Sequence, residues 1–142
     1  MDPKTRQCIF CAIVAGAAPA WITDQDDWTV SFLDISPAAP GHTLVVPRTH
    51  ADDLWSISSE DAQKVMAAAH RVAGRLRDRL RPDGLSLTQA NRAAAGQEVF
   101  HLHVHLVPRY VGDQVRRAGS AVQAGPEELA ATWESLRSPA DS

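Results

Sequence analysis

The chain has 142 residues, 44% of them hydrophobic, the size of one compact domain with a single core. Its 14 basic and 17 acidic residues leave a formal charge of -3, without the basic excess that tracks an extended nucleic-acid backbone. No apolar run approaches the roughly 20 residues a membrane span needs, and two cysteines make no disulfide framework, which fits a reducing cytoplasm.

Lys4 and Arg6 precede an apolar stretch from Cys8 to Trp21 that superficially resembles a signal peptide, but Gly16, Pro19 and a Cys-x-x-Cys pair interrupt it. Trp28 to Leu33 alternates polar and apolar residues and predicts a half-buried strand entering the Asp34-Ile35-Ser36-Pro37 turn. After Pro40-Gly41, His42 to Val46 predicts a second strand, closed by Pro47. From Ser58 the period changes. Val65, Ala69, Val72, Leu76 and Leu80 recur every three or four residues, which predicts an amphipathic helix begun by a Ser58/Asp61 cap and ended by Pro82-Asp83-Gly84. Its other face, with Lys64, Arg71, Arg75 and Asp78, reads as solvated. His70 reads as a helix-face residue without a role.

Leu85 to Gln89 predicts a third strand, Asn91 to Gly96 an alanine-rich loop, and Glu98 to about Val107 another strand. Gly112 to Gly125 has the least pattern, and a short helix restarts at Pro126-Glu127-Glu128 with Leu129, Trp133 and Leu136 as its apolar stripe. The predicted architecture is α+β: an antiparallel sheet of about five strands, one long helix and a short C-terminal helix. One domain spans residues 1–142, with a motif-bearing core at 8–109 and a C-terminal extension at 110–142.

Six histidines occur, and three of them alternate in His101-Leu102-His103-Val104-His105. On a strand these three would share one face, with Leu102, Val104 and Leu106 filling the other. A strand that gives one whole face to imidazoles forgoes packing there, which points to use. Gly96-Gln97 just upstream allows backbone to approach a ligand and to offer N–H groups to phosphate oxygens.

The segment from Gly96 through His101-Leu102-His103-Val104-His105 to Arg109 resembles the histidine triad (HIT) family motif. Cys8-Ile9-Phe10-Cys11, Phe32 to Pro37 and Pro40 to Pro47 resemble further family segments in the same order. The resemblance implies a HIT-like fold, a homodimer with continuous sheets, and a phosphoramidase-like nucleotide hydrolase or transferase. Such an enzyme cleaves purine nucleoside 5′-phosphoramidates or related conjugates to the monophosphate through a nucleotidyl-histidine intermediate. The alternatives are a dinucleoside polyphosphate hydrolase and a non-catalytic purine nucleotide-binding or scaffold protein.

By the same resemblance His103 is the nucleophile, His105 donates to a phosphate oxygen and His42 assists with the leaving group's proton. Asp34 would accept from the ribose hydroxyls, Asn91 and Gln97 would hold ribose or phosphate, and backbone near Gly96 and Val99 would assist. Phe10, Ile13, Phe32 and Ile35 would form the base slot. Glu98 departs from the pattern, because many family members carry a small hydroxyl residue there. A carboxylate facing the site repels phosphate, so Glu98 either points away or favours a cationic leaving amine.

Cys8-x-x-Cys11 alone fits a redox pair, two buried thiols or half a metal site. His50 and His101 are two further ligands, and the resemblance implies a bacterial-type zinc site of Cys8, Cys11, His50 and His101, tetrahedral and structural, with no organic cofactor. His101 then binds metal and leaves the chemistry to His103 and His105.

Overall fold

The structure, a computed structural model, describes residues 7–114 and 124–137. In chain order these form α1 (Ile9–Val14), β1 (Ile22–Gln25), β2 (Thr29–Leu33), β3 (Thr43–Pro47), α2 (Ser59–Leu80), β4 (Gly84–Thr88), β5 (Val104–Arg109) and α3 (Pro126–Leu136). The strands make one sheet in the order β1-β2-β3-β5-β4, with every neighbouring pair antiparallel. This is the expected α+β architecture. Most of the stretch from Gly112 to Gly125 lies outside the described residues.

Alternation along the central strands divides their side chains between two cores. Val45, Leu33, Val104 and Leu106 join Val65, Val72 and Leu76 of α2 and Leu129 and Leu136 of α3 on one face. Val30, Phe32, Leu44 and Val46 meet Phe10 and Ile13 of α1 on the other. His105 of β5, and His101 and His103 just before it, fall on this second side.

Helix α2 begins where Ser58 accepts a hydrogen bond from Asp61 N at 3.0 Å, and ends at Arg81, whose φ of 52° breaks the helical path. Its charged face corrects the solvated reading in part. Arg71 and Arg75 close on the buried carboxylate of Asp24 in β1, with Nη2 to oxygen distances of 2.6 and 2.8 Å. Arg75 also donates to the Thr23 carbonyl. Two guanidiniums satisfy a carboxylate taken out of water, and the ion cluster pins the helix to the sheet edge.

Two elements were hidden by their sequences. Helix α1 has 6 residues, too short to display a period, and is nucleated by Cys8 Sγ accepting from Cys11 N. Strand β1, Ile-Thr-Asp-Gln, reads as a polar loop until Asp24 is seen in its ion cluster.

The strand expected from Glu98 to Val107 starts only at Val104. Continuing the β3–β5 register of Leu44↔His105 and Val45↔Val104 would set Leu102 opposite Pro47. Proline has no N–H to offer a ladder. Leu102 N instead donates to Ala51 O at 2.7 Å, and the Pro47 carbonyl accepts from His101 at 2.8 Å. Residues 98–103 therefore form an irregular approach to β5.

Helix α3 lies against α2 and β1: Trp133 Nε1 donates to Ile22 O at 2.7 Å, and Arg79 donates to Ser135 O at 3.0 Å. Just before it, Ala124 N donates to Ile35 O at 2.9 Å, tying this segment to the loop between β2 and β3. Within that loop Gly41 has φ of 90°, and a Cβ there would lie 2.5 Å from Leu80 Cδ1. The backbone conformation calls for glycine, and a Cβ would also require the Leu80 side chain to shift.

Candidate active site and metal centre

A cavity of about 470 Å³ opens on the α1 side of the sheet. Phe10 and Ile13 of α1 and Phe32 of β2 form its apolar wall, and Asp34, Ile35, Gly96, Glu98, Val99, His103 and His105 line the rest. Ile35, 50% exposed, stands at the rim. Ala18, Pro19 and Ala20, which carry no recognisable pattern, complete the wall and escaped the sequence analysis.

Hydrogen-bond partners fix the imidazole tautomers. His103 Nδ1 lies 2.8 Å from the His101 carbonyl, which can only accept, so the proton is on Nδ1 and the lone pair on Nε2. The Phe10 ring meets His103 edge-on at 5.1 Å between centroids and limits its rotation. Ala38 N donates to His42 Nδ1 at 2.9 Å, which leaves His42 Nε2–H to donate to His105 Nδ1, also at 2.9 Å. His105 Nε2 then carries a proton. A nucleophilic lone pair and an N–H donor thus sit on neighbouring rings, with centroids 4.8 Å apart.

Burial keeps these rings neutral. It lowers His103 and His42 below their ordinary 6.5 and drives His105 to about 4, with the neighbouring imidazoles adding to the shift of His105. Asp34 and Glu98 partly oppose the shift of His103.

His42 does not line the cavity. It is 1% exposed and acts on His105 from behind, with Asp34 Oδ2 at 3.6 Å from its Nε2. Two expected ligands also fall outside. Asn91 Oδ1 accepts from Leu54 N and Gln89 Nε2, both at 2.7 Å. The buried Gln97 amide donates to Asp52 O and Val99 O and accepts from Arg92 N. Both side chains are consumed in shaping the loop that presents Gly96 and Val99. Glu98, by contrast, does face the cavity.

The ligand atoms of Cys8, Cys11, His50 and His101 all lie within 4.8 Å of one another. Cys11 Sγ is 3.2 Å from His50 Nδ1 and 3.4 Å from His101 Nδ1, and Cys8 Sγ is 3.4 Å from His101 Nδ1. His101 Nε2 donates to Pro47 O, and His50 Nε2 lies 2.8 Å from Asp52 Oδ1. Each imidazole is therefore held through Nε2 while its Nδ1 lone pair faces the sulfurs, the outer-shell arrangement of metal-binding histidines. Burial and the adjacent Cys8 push the Cys11 thiol up to about 12, so a cation is needed before Cys11 becomes thiolate. Asp52 and the Pro47 carbonyl were missed in the sequence, although His50-Ala51-Asp52 spacing hinted at the first. Asp34, His42 and His105 are also mutually close, but the bond between the two imidazoles occupies the nitrogens a metal would take.

The HIT domain family model matches residues 15–112, well over half of the chain. The chain belongs to the HIT family. The Bacillus subtilis relative named Protein hit is 42% identical over 105 residues, covering 74% of this chain and 72% of its own length. A zinc-bound histidine triad family protein from Mycobacterium smegmatis superposes with a TM-score of 0.79 at 36% identity, covering 93% of this chain and 94% of the other. A hypothetical histidine triad nucleotide-binding protein from Sulfolobus tokodaii gives 0.82 at 26% identity, covering 92% and 89%. In this HIT chain the Cys8/Cys11/His50/His101 cluster is a metal-type donor set, and no described helix is long and apolar enough to cross a membrane.

Proposed function

We propose that this HIT protein hydrolyses purine nucleoside 5′-phosphoramidates, or related conjugates, to the nucleoside monophosphate and a free amine. The observation that carries the reading is the His103 lone pair at Nε2, held by the His101 carbonyl and set beside the His105 N–H donor. His103 Nε2 forms a bond to phosphorus as the P–N bond breaks. His105 donates to the non-bridging oxygen on which charge builds. The leaving nitrogen takes a proton from solvent as it departs, and water then cleaves the nucleotidyl-histidine, its hydroxyl going to phosphorus and its proton returning to solvent. His42 is a positioning residue, since it sets the His105 tautomer without touching substrate.

The Phe10, Ile13 and Phe32 wall suits a purine, and Asp34 at the mouth suits ribose hydroxyls. Cys8, Cys11, His50 and His101 hold a structural zinc, which ties α1 to the approach of β5 and so sets the base wall against His103. Free thiols of this kind suit the cytoplasm. A homodimer is supported by β4, an outer strand whose Leu85 and Leu87 are 38% and 45% exposed.

A leaving-group panel tests the reading. Adenosine 5′-phosphoramidate is expected to turn over faster than a diadenosine polyphosphate. The reverse order would make the protein an anhydride hydrolase, and monophosphate binding without turnover of either would make it a binding protein.

A further inference from the structure

Of the residues that line the reaction cavity, Asp34 and Glu98 alone carry formal charge at neutral pH, once the neutral histidines are set aside. No lysine or arginine among the described residues stands there to meet a phosphate. A second hollow, of about 480 Å³, adjoins the first and shares Ile9, Glu98 and Val99 with it. Its other lining is Gln7, Phe100, Asp52 and the metal-cluster residues Cys8 and His50, with no lysine or arginine among the described residues, and His50 is held through Nε2 by Asp52 Oδ1 at 2.8 Å. Ile9 and Phe100 are about half exposed, at 51% and 48%. Arg92, which shares a further hollow with Phe100, is occupied by Asp53 Oδ2 at 3.4 Å and by the Trp55 ring.

From this placement we infer that Glu98 selects the leaving group: the preferred substrate is a nucleoside phosphoramidate whose amine portion carries a further cationic group. The inference rests on the hydrolase reading above and narrows it. An alkyl chain leaving phosphorus beside His103 passes over Ile9 and Val99 into the second hollow. An ammonium or guanidinium at its end meets the Glu98 carboxylate and the exposed Phe100 ring, the pairing that recognises cations. A polyphosphate leaving group brings further negative charge to the same carboxylate and is disfavoured. The reaction is unchanged: the P–N bond breaks, solvent supplies a proton to nitrogen and water a hydroxyl to phosphorus, and the second charge is only recognised.

The test uses three adenosine 5′-phosphoramidates on one five-carbon chain, ending in a methyl, an ammonium or a carboxylate. At low salt kcat/KM is expected to fall in the order ammonium, methyl, carboxylate, with roughly tenfold between the extremes, narrowing as salt is raised. Glu98→Gln should compress that ratio to about twofold, and Glu98→Lys should invert it. An equal ratio in the wild-type protein, or a ratio that survives Glu98→Gln, overturns the inference. So does a ratio that survives Glu98→Gln and is lost in Asp52→Asn, because the selecting charge is then elsewhere. The three compounds are also ranked by competition with adenosine monophosphate for binding. Absence of turnover with all three overturns the hydrolase reading, while the binding order still decides the role of Glu98.

Discussion

His103 donates from Nδ1 to the carbonyl of His101, 2.8 Å away, so the residue placed in the metal cluster also sets the tautomer of the proposed nucleophile. The side chain of His101 faces the cysteines while its backbone orients the ring two positions on. His103→Ala is expected to lower turnover of an adenosine phosphoramidate by at least about a thousandfold while adenosine monophosphate still binds. Turnover unchanged in this variant, measured by monophosphate release, would remove the mechanism.

The neutral rings give a pH signature. Because burial lowers His103 and His42 below 6.5 and His105 to about 4, kcat/KM should stay flat as pH falls through 6.5 and drop only below it. Stability follows the same groups. In the unfolded chain His105 takes its proton near 6.5, whereas in the folded protein it stays neutral down to about 4. The unfolded state therefore binds more protons across that window, and stability is lost as pH falls through it. Urea midpoints from pH 8 to 4 check the sign; a midpoint that rises on acidification would contradict it.

Purified protein is expected to hold close to one zinc per chain by elemental analysis. Cys8→Ser should lower both metal content and stability, the latter by roughly 3 kcal/mol or more, since metal binding to such a site is folding free energy. Absence of near-stoichiometric zinc, with Cys8→Ser as stable as the parent, would exclude the site.

Asp24→Asn leaves Arg71 and Arg75 without the carboxylate between them. With Arg71 partly solvated, the loss is expected at about 2–3 kcal/mol rather than the full cost of a buried orphan charge. Denaturant unfolding measures it, and the second-step hydrolysis rate should not move. A change within 0.5 kcal/mol, about the effect of an ordinary surface substitution, would mean that the cluster is ornamental.

Much of the fold was legible because its periods are long. Helix α2 runs 22 residues and repeats its apolar contacts throughout, β2 alternates polar and apolar residues, and β3 is apolar and β-branched. The metal donors were legible through the family resemblance, which joins His50 and His101 to the Cys8-x-x-Cys11 pair. What stayed hidden depends on partners far along the chain. Arg71 looks solvated until Asp24 arrives from 47 positions away. The histidine segment looks like one strand until Pro47 is found where Leu102 would need a donor. Asn91 and Gln97 are expected as ligands from the family resemblance, yet groups of their own loop and the backbone of residues 52 and 54 take their amides up.

The bond from Ala124 to the Ile35 carbonyl, together with Leu129 and Thr132 packed beside Pro37 and His42, has a temporal consequence. During synthesis the whole histidine motif has been made by Arg109, but the segment that backs the His42 loop has not. A nascent chain halted there carries all the reactive groups and lacks the brace behind them. The brace behind the His42 loop is therefore made only after the whole histidine motif, with residues 124–136.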